Sequence, residues 1–295
     1  MAKQNILQLD FKEDISLGFE FIAIDDHYAR TKPNLRRPHR ASFYLILWFK
    51  NGNPVHTVDF HPVKPPVDSF LFVRKDAVQF FDLQNTFQSS TLLFTDTFFC
   101  ENEHDYRFLR SSQLFNSFVG DEAPIPIVLT QELRTLWQWM QTEEQHPFDP
   151  FHAALLRKYL HSFLLRAERE KLKQGKGIRM EGANFESLIN FNNLLEEHFR
   201  NEKGLSFYAD KLFISTKVLN NITHLMLGKT PKQLIDERVQ LEAKRLLVHT
   251  EIPIKTISLY LGFDETTNFN KFFKKHSGQT PAVFRNTFLL FTTTA

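Results

Sequence analysis

The sequence predicts an α+β chain: a strand-rich N-terminal part that ends in a helical hairpin, then an all-α part with two helix-turn-helix units joined by a long helix. Three observations predict it. As far as about residue 125, short apolar runs recur between Pro, Asp and Asn punctuation, at the spacing of a sandwich or small barrel. From Gln131 onward the apolar residues change to helical spacing. In the last third one pattern occurs twice: an apolar-periodic helix, a tight turn, and a second helix bearing amide, hydroxyl and lysine side chains.

At 295 residues the chain suits two domains, each large enough to bury a core without disulfides or structural metal. The expected division is 1–172, a linker over 173–183, and 184–295. Cys100 is the only cysteine, so no intrachain disulfide can form, which fits a reducing compartment. Met1 to Gln8 lacks the apolar core of a signal peptide, and the longest strongly apolar run, Phe43 to Phe49, falls far short of the roughly 20 residues that span a bilayer. The expectation is a cytoplasmic protein with no membrane partner.

The net charge of +2 says little by itself, because its placement decides what it can attract. Residues 200–295 carry 14 Lys+Arg against 8 Asp+Glu, and the remainder carries 22 against 26. The positive excess lies with the repeated pattern, where a phosphate backbone would need it.

The elements follow in order. Ser42 to Phe49 reads as a buried strand closed by Lys50-Asn51-Gly52-Asn53-Pro54, and Asn-Gly between two such runs signals a hairpin. Further strands are expected at His56–Phe60, Ser69–Val73, Val78–Leu83 and Thr91–Phe94. Gln131–Gln141 and Phe151–Lys173 read as two antiparallel helices broken by His146-Pro147-Phe148-Asp149-Pro150. On the second, Leu155, Tyr159, Phe163 and Leu164 form an apolar stripe, and Arg166, Arg169, Lys171 and Lys173 form a charged end. Two uses of that stripe stand side by side: packing on its own domain, and a homodimer seam through 131–173. Lys173 to Arg179 is short, basic and glycine-containing, the composition of a linker. From about residue 184 the pattern is helical, with stops at Gly204, Gly228, Pro231, Pro253, Gly262, Gly278 and Pro281.

In a helix-turn-helix the first helix packs across the second, which projects into the major groove of DNA. Its inner face must be apolar and its outer face must carry hydrogen-bonding groups. In the first unit Ser215 can cap the second helix, Leu219 and Ile222 face inward, and Lys217, Asn220, Asn221 and His224 face outward. In the second, Phe269, Phe272 and Phe273 face inward and leave Thr266, Thr267, Asn270, Lys271 and Lys274 exposed. Lys274 and Lys275 suit phosphate contacts, while the amides and threonines suit base edges. Pro231 to Val248 reads as the joining helix, about 27 Å long at 1.5 Å per residue. With a unit at each end, that approaches the roughly 34–36 Å between successive major-groove faces on one side of the duplex.

At these residues the chain resembles the AraC/XylS family of bacterial transcription regulators. The resemblance is carried by Gly228-Lys229-Thr230-Pro231, Leu241-Glu242-Ala243-Lys244-Arg245-Leu246-Leu247, Leu261-Gly262-Phe263, Asn268 to Lys275, and Gly278-Gln279-Thr280-Pro281 through Phe284-Arg285, over about the last 100 residues. It implies reading helices at Thr216–His224 and Thr266–Lys274, with base-facing positions at Lys217, Asn220, Asn221, Thr266, Thr267, Asn270 and Lys271. Thr223 departs from the family's usual aromatic.

The N-terminal half resembles the family's cupin-like sensing domain more loosely, through Arg40–Phe49, Asn51-Gly52, Val58-Asp59-Phe60 and Leu71-Phe72-Val73. That implies a cupin-like β-barrel able to take a small-molecule effector. Tyr44, Trp48, His56 and Phe72 are its candidate pocket lining, and the other reading of these side chains is a closed aromatic core. His56 and His61 are too far apart for the HxH pair of enzymatic cupins, and Gln79 stands where a histidine often occurs. No metal, cofactor or enzymatic activity is therefore expected. The partners implied are double-stranded DNA, an effector and, for an activator, RNA polymerase. A regulator whose β domain only dimerises is the alternative, with a cupin-type enzyme bearing a DNA-binding appendage a distant third.

Overall fold

The computed structural model describes residues 6–11, 17–25, 32–82, 86–116, 123–175 and 182–293. Two compact units separate between Gly175 and Gly182. The expected linker over 173–183 lies, for 176–181, outside the described residues.

The N-terminal unit contains ten strands in two five-stranded sheets among the described residues. One sheet has the order β1 (Leu7–Leu9), β3 (His39–Ala41), β8 (Gln79–Asp82), β5 (Val55–Val58), β6 (His61–Val63). The other has β10 (Ile127–Val128), β7 (Ser69–Val73), β4 (Tyr44–Gly52), β9 (Phe87–Phe94), β2 (Phe19–Asp25). All pairs are antiparallel except β1 with β3. The expected barrel is thus a pair of sheets, with no hydrogen-bonded pairing between them among the described residues.

Strand β4 explains the layering. Its side chains alternate, so Phe43, Leu45, Leu47 and Phe49 enter an apolar core shared with Ala41, Val58, Val63 and Phe81 of the opposite sheet. Tyr44, Ile46 and Trp48 enter a second core with helices α4 (Gln131–Glu144) and α5 (His152–Lys173). A strand covered on both faces must be apolar throughout, which is why this run reads as continuous rather than alternating. Three short helices, α1 (Pro33–Arg36), α2 (Asp96–Phe99) and α3 (Glu103–Ser111), complete the unit.

The Asn51-Gly52 hairpin is a correction. β4 and β5 belong to different sheets, so the turn carries the chain from one sheet to the other. Gly52 pairs with Phe87 after an irregularity between Phe49 and Asn51, and Asn51 Nδ2 donates to Gln88 Oε1 at 2.7 Å. With φ at +85° and a would-be Cβ 2.1 Å from Thr86 O, Gly52 is needed for close strand approach. The hairpin instead joins β5 to β6 through Asp59 and Phe60, both at positive φ.

Helices α4 and α5 form the expected antiparallel pair. Glu143 near the end of α4 lies 3.4 Å from His152 at the start of α5, as the antiparallel arrangement requires. Thr130 caps α4 by accepting from Leu133 N. The stripe expected on α5 divides: Phe163 and Leu164 are fully buried against the sheet, whereas Leu155, with Leu165 and Leu172, lies exposed. Which of these leucines and aromatics meets the sheet is decided by packing rather than by their spacing along the helix.

The C-terminal unit is formed by α6 (Ala183–His198), α7 (Leu205–Lys211), α8 (Thr216–Leu227), α9 (Pro231–His249), α10 (Ile254–Tyr260), α11 (Thr266–Ser277) and α12 (Pro281–Thr293). The joining helix α9 starts at a capping box between Thr230 and Gln233 with Pro231 in its first turn. Its 19 residues span about 28 Å. One core holds both repeated units, through Tyr208 and Leu219 of the first, Ile257, Phe269 and Phe273 of the second, and Ile235, Val239 and Leu247 of α9. Both units are therefore anchored to one scaffold.

Candidate nucleic-acid interface

The two units share one turn geometry. In the first, Leu212 N donates to Tyr208 O, Phe213 N to Asp210 O and Ile214 N to Ala209 O, at 3.0, 3.1 and 3.1 Å. In the second, Leu261, Gly262 and Phe263 repeat these bonds to Ile257, Leu259 and Ser258 at 3.0, 2.9 and 3.0 Å. The second residue after the helix lies in the left-handed region in both, Phe213 at φ +55° and Gly262 at φ +70°.

Each second helix buries one face. Leu219, Ile222 and Thr223 of α8 are buried, as are Phe269 and Phe273 of α11. Counted from the first residue of each helix, Thr223 occupies the place of Phe273, so the first unit fills with a methyl and hydroxyl what the second fills with a ring. Thr223 Oγ1 is satisfied by Asn220 O at 3.3 Å.

The outer faces carry the expected side chains. Lys217, Asn221, Thr267, Asn270, Lys271, Lys274 and Lys275 are exposed, and Asn220 and Thr266 are half-buried. Asn220 Nδ2 donates to Thr216 O at 2.8 Å, which leaves its carbonyl oxygen and its second N–H for other partners. Thr267 Oγ1 donates to Glu265 Oε2 at 2.8 Å. Lys217, Lys271, Lys274 and Lys275 form no ion pair among the described residues, so their charge is unspent. Four residues that sequence reasoning passed over are exposed here: Phe213, Val218, Leu225 and Asn268. Val218-Asn221-Leu225 and Asn268-Lys271-Lys275 follow i, i+3, i+7 spacing, and that spacing was the signal available for the last three.

The candidate pocket residues do not converge. Tyr44 stacks on Phe94 at 5.2 Å, Trp48 meets Trp137 at 6.0 Å, and Phe72 meets Phe115 at 5.6 Å, all inside the core between sheet and helices. His56 lies on β5 of the other sheet, fully buried beside Phe81, and shares a 3.0 Å hydrogen bond with Gln79. Strand alternation explains the separation, since neighbouring positions of one sheet face opposite cores. Among the described residues no cluster of three or more His, Cys, Asp or Glu is placed to hold a metal ion.

His56 yields a pH prediction. Burial lowers its pKa from the ordinary 6.5 to about 4, with neighbouring His39 adding to the shift and the Gln79 hydrogen bond opposing it. An unfolded chain binds this proton below about pH 6.5 and the folded one only near pH 4, so stability falls as pH falls through that window. The expected loss from pH 7 to pH 5 is about 2 kcal/mol from this group. Thermal melts at the two pH values check it, and a His56→Gln variant with an undiminished acid slope would refute the assignment.

A family profile described as "Helix-turn-helix domain" matches residues 208–287, which takes in both second helices. The HTH-type transcriptional activator RhaS of Escherichia coli K12 is 22% identical over 252 residues, covering 84% of this chain and 86% of that protein. Residues 208–287 thus carry a helix-turn-helix domain, and along most of its length the chain is similar to a transcription activator. Among solved structures, the C-terminal domain of a response regulator from Fusobacterium nucleatum is 27% identical, covering 32% of this chain and 93% of that one, with a TM-score of 0.31. ToxT of Vibrio cholerae is 12% identical, covering 91% and 98%, with a TM-score of 0.45. The matched residues take in α8, α9, α10 and α11. Among the described residues no helix is long and apolar enough to cross a membrane.

Proposed function

We propose that this protein is a sequence-specific DNA-binding transcription activator that acts in the cytoplasm, without a catalytic step of its own, under control of a small-molecule effector taken by its N-terminal unit. The observation that carries the DNA reading is the pair of second helices, α8 and α11, held on one core with amide and lysine side chains outward. Such a pair suits two successive major grooves of one duplex. A mobility-shift assay at physiological salt, with competitor DNA, tests it. Binding of every promoter fragment no better than random sequence would refute it.

Two kinds of contact are expected on α11. Asn270→Ala removes an amide suited to an adenine edge, and should cost about 1–3 kcal/mol at one base position while leaving nonspecific binding intact. Lys275→Ala should weaken binding on all sequences and reduce the salt slope by about one. Equal effects of both changes on every sequence would contradict the division.

For the effector, support comes from the core between the sheets. Among the described residues His56 Nδ1, Gln79 Nε2 and Thr91 Oγ1 are buried without a hydrogen-bond partner, and Thr91 shares the strand face of Phe87 and Leu93 toward that core. A small molecule with donors and acceptors would satisfy them. The alternative, a β unit that only dimerises, draws on another observation: Trp139, Leu155, Leu165 and Leu172 leave an exposed apolar edge along α4 and α5. Sedimentation of Leu165→Glu distinguishes them, since a dimer seam through 131–173 requires that variant to dissociate. RNA polymerase is the partner that activation would require.

A further inference from the structure

Phe213 is the least economical residue of the C-terminal unit. Its ring is 95% exposed and its backbone sits at φ +55°, a region that costs a residue with a Cβ and suits glycine. The second unit makes the same turn with the same hydrogen bonds and uses Gly262. Nothing in the folding of the turn calls for a phenyl ring, so its use is sought in what the unit binds.

The comparison extends along the helix. Val218 and Leu225 of α8 are 43% and 71% exposed, and with Asn221 they form one outward stripe. The matching stripe of α11 is Asn268, Lys271 and Lys275. The same face of the same motif is apolar at two of its three positions in one unit and polar or cationic at all three in the other. Lys211 and Lys217, both exposed, flank Phe213 on the chain, so the apolar side chains stand in a cationic setting that favours a polyanion.

We propose that the first unit reads thymine methyl groups, with Phe213, Val218 and Leu225 packing on them in the major groove while Lys211 and Lys217 engage phosphates. The C5 methyl of thymine is the apolar feature that the major groove offers. The second unit then reads by hydrogen bonds, which gives one chain two unlike half-sites. This rests on the DNA-reading function proposed above and specifies how its first half works.

The test selects duplexes from a random pool with the full chain, then replaces each thymine of the selected site by deoxyuridine, one position at a time. At one to three positions in one half-site the change should lower affinity about fourfold, the worth of one buried methyl-sized group. Those penalties should shrink below twofold in Phe213→Gly and Val218→Asn, and Phe213→Gly should at the same time raise Tm by a few degrees as the turn relaxes. A pool that yields no enriched site would overturn the DNA reading and this inference with it. A selected site in which uracil changes nothing would overturn the inference alone. So would variants that bind DNA like the parent yet fail to activate transcription, an outcome that assigns the stripe to a protein partner.

Discussion

Gly262→Ala is expected to destabilise the C-terminal unit by about 3 kcal/mol or more and to lower its Tm by more than about 10 °C. The Cβ it adds would lie 2.0 Å from Arg200 O and 3.0 Å from Arg200 C, both backbone atoms with little room to move. The φ of +70° adds a second penalty independent of the clash. Lys203 holds the two segments together, its Nζ donating to Arg200 O at 2.8 Å and to Gly262 O at 3.0 Å, and the Arg200 guanidinium lies 4.4 Å from the Tyr260 ring centre. Relief of the clash therefore has to push the turn off the segment after α6. That turn aims α11, so DNA affinity should fall with stability. Circular-dichroism melting and the mobility shift measure the two effects. A Tm within 2 °C of the parent would show that the close approach is not required. The contrast with Phe213→Gly is sharp: the same turn position should gain stability in the first unit and lose it in the second.

Arg245→Ala is the other large effect, with an expected cost of about 3 kcal/mol. Arg245 and Glu242 of α9 are both essentially inaccessible and lie 3.0 Å apart. Removal of the guanidinium leaves a buried carboxylate that Arg238 still approaches at 3.4 Å. Arg238 also bridges to Glu196 of α6 at 2.9 Å and stands 3.8 Å from the Phe199 ring centre, so the network ties the spacer helix to α6. A value near the lower end of the range for broken buried pairs follows from that surviving contact. Arg245→Leu combined with Glu242→Leu should recover most of the loss, because two apolar side chains carry no desolvation cost. A double variant no more stable than Arg245→Ala would show that the charges themselves stabilise the fold. Urea denaturation of the three proteins gives the comparison.

How much was legible differs between the halves. In the C-terminal unit the helix starts and stops, the spacer helix and the inner faces of both reading helices followed from Ser215, Thr230, Pro231, Gly228 and Gly278 and from apolar spacing. These signals are local, carried by caps and by side chains three or four positions apart. The outward set was legible for the same reason, except where the sidedness of Val218, Leu225 and Asn268 had to be read from which neighbours were buried. Phe213 gave no local signal, since a positive φ at a non-glycine residue is set by the turn around it.

In the N-terminal unit β4, β5, β7, β8 and the second half of β9 were legible, but β6, the first half of β9 and the pairing of the strands were not. Asn51-Gly52 looks like a hairpin turn along the chain and acts as a passage between sheets, because pairing is decided by residues 35 or more positions away, such as Gln88. Tyr44, Trp48, Phe72 and His56 look like one pocket and belong to two cores.

By itself, then, the sequence determined a pair of helix-turn-helix units on a helical spacer, because each of those features depends on short-range spacing and end-capping. Only the tertiary structure decided which sheet each strand joins, which aromatic faces which core, and that the first reading helix shows an apolar stripe where the second shows a polar one. Those outcomes depend on burial, and burial is a property of surfaces brought together from distant parts of the chain.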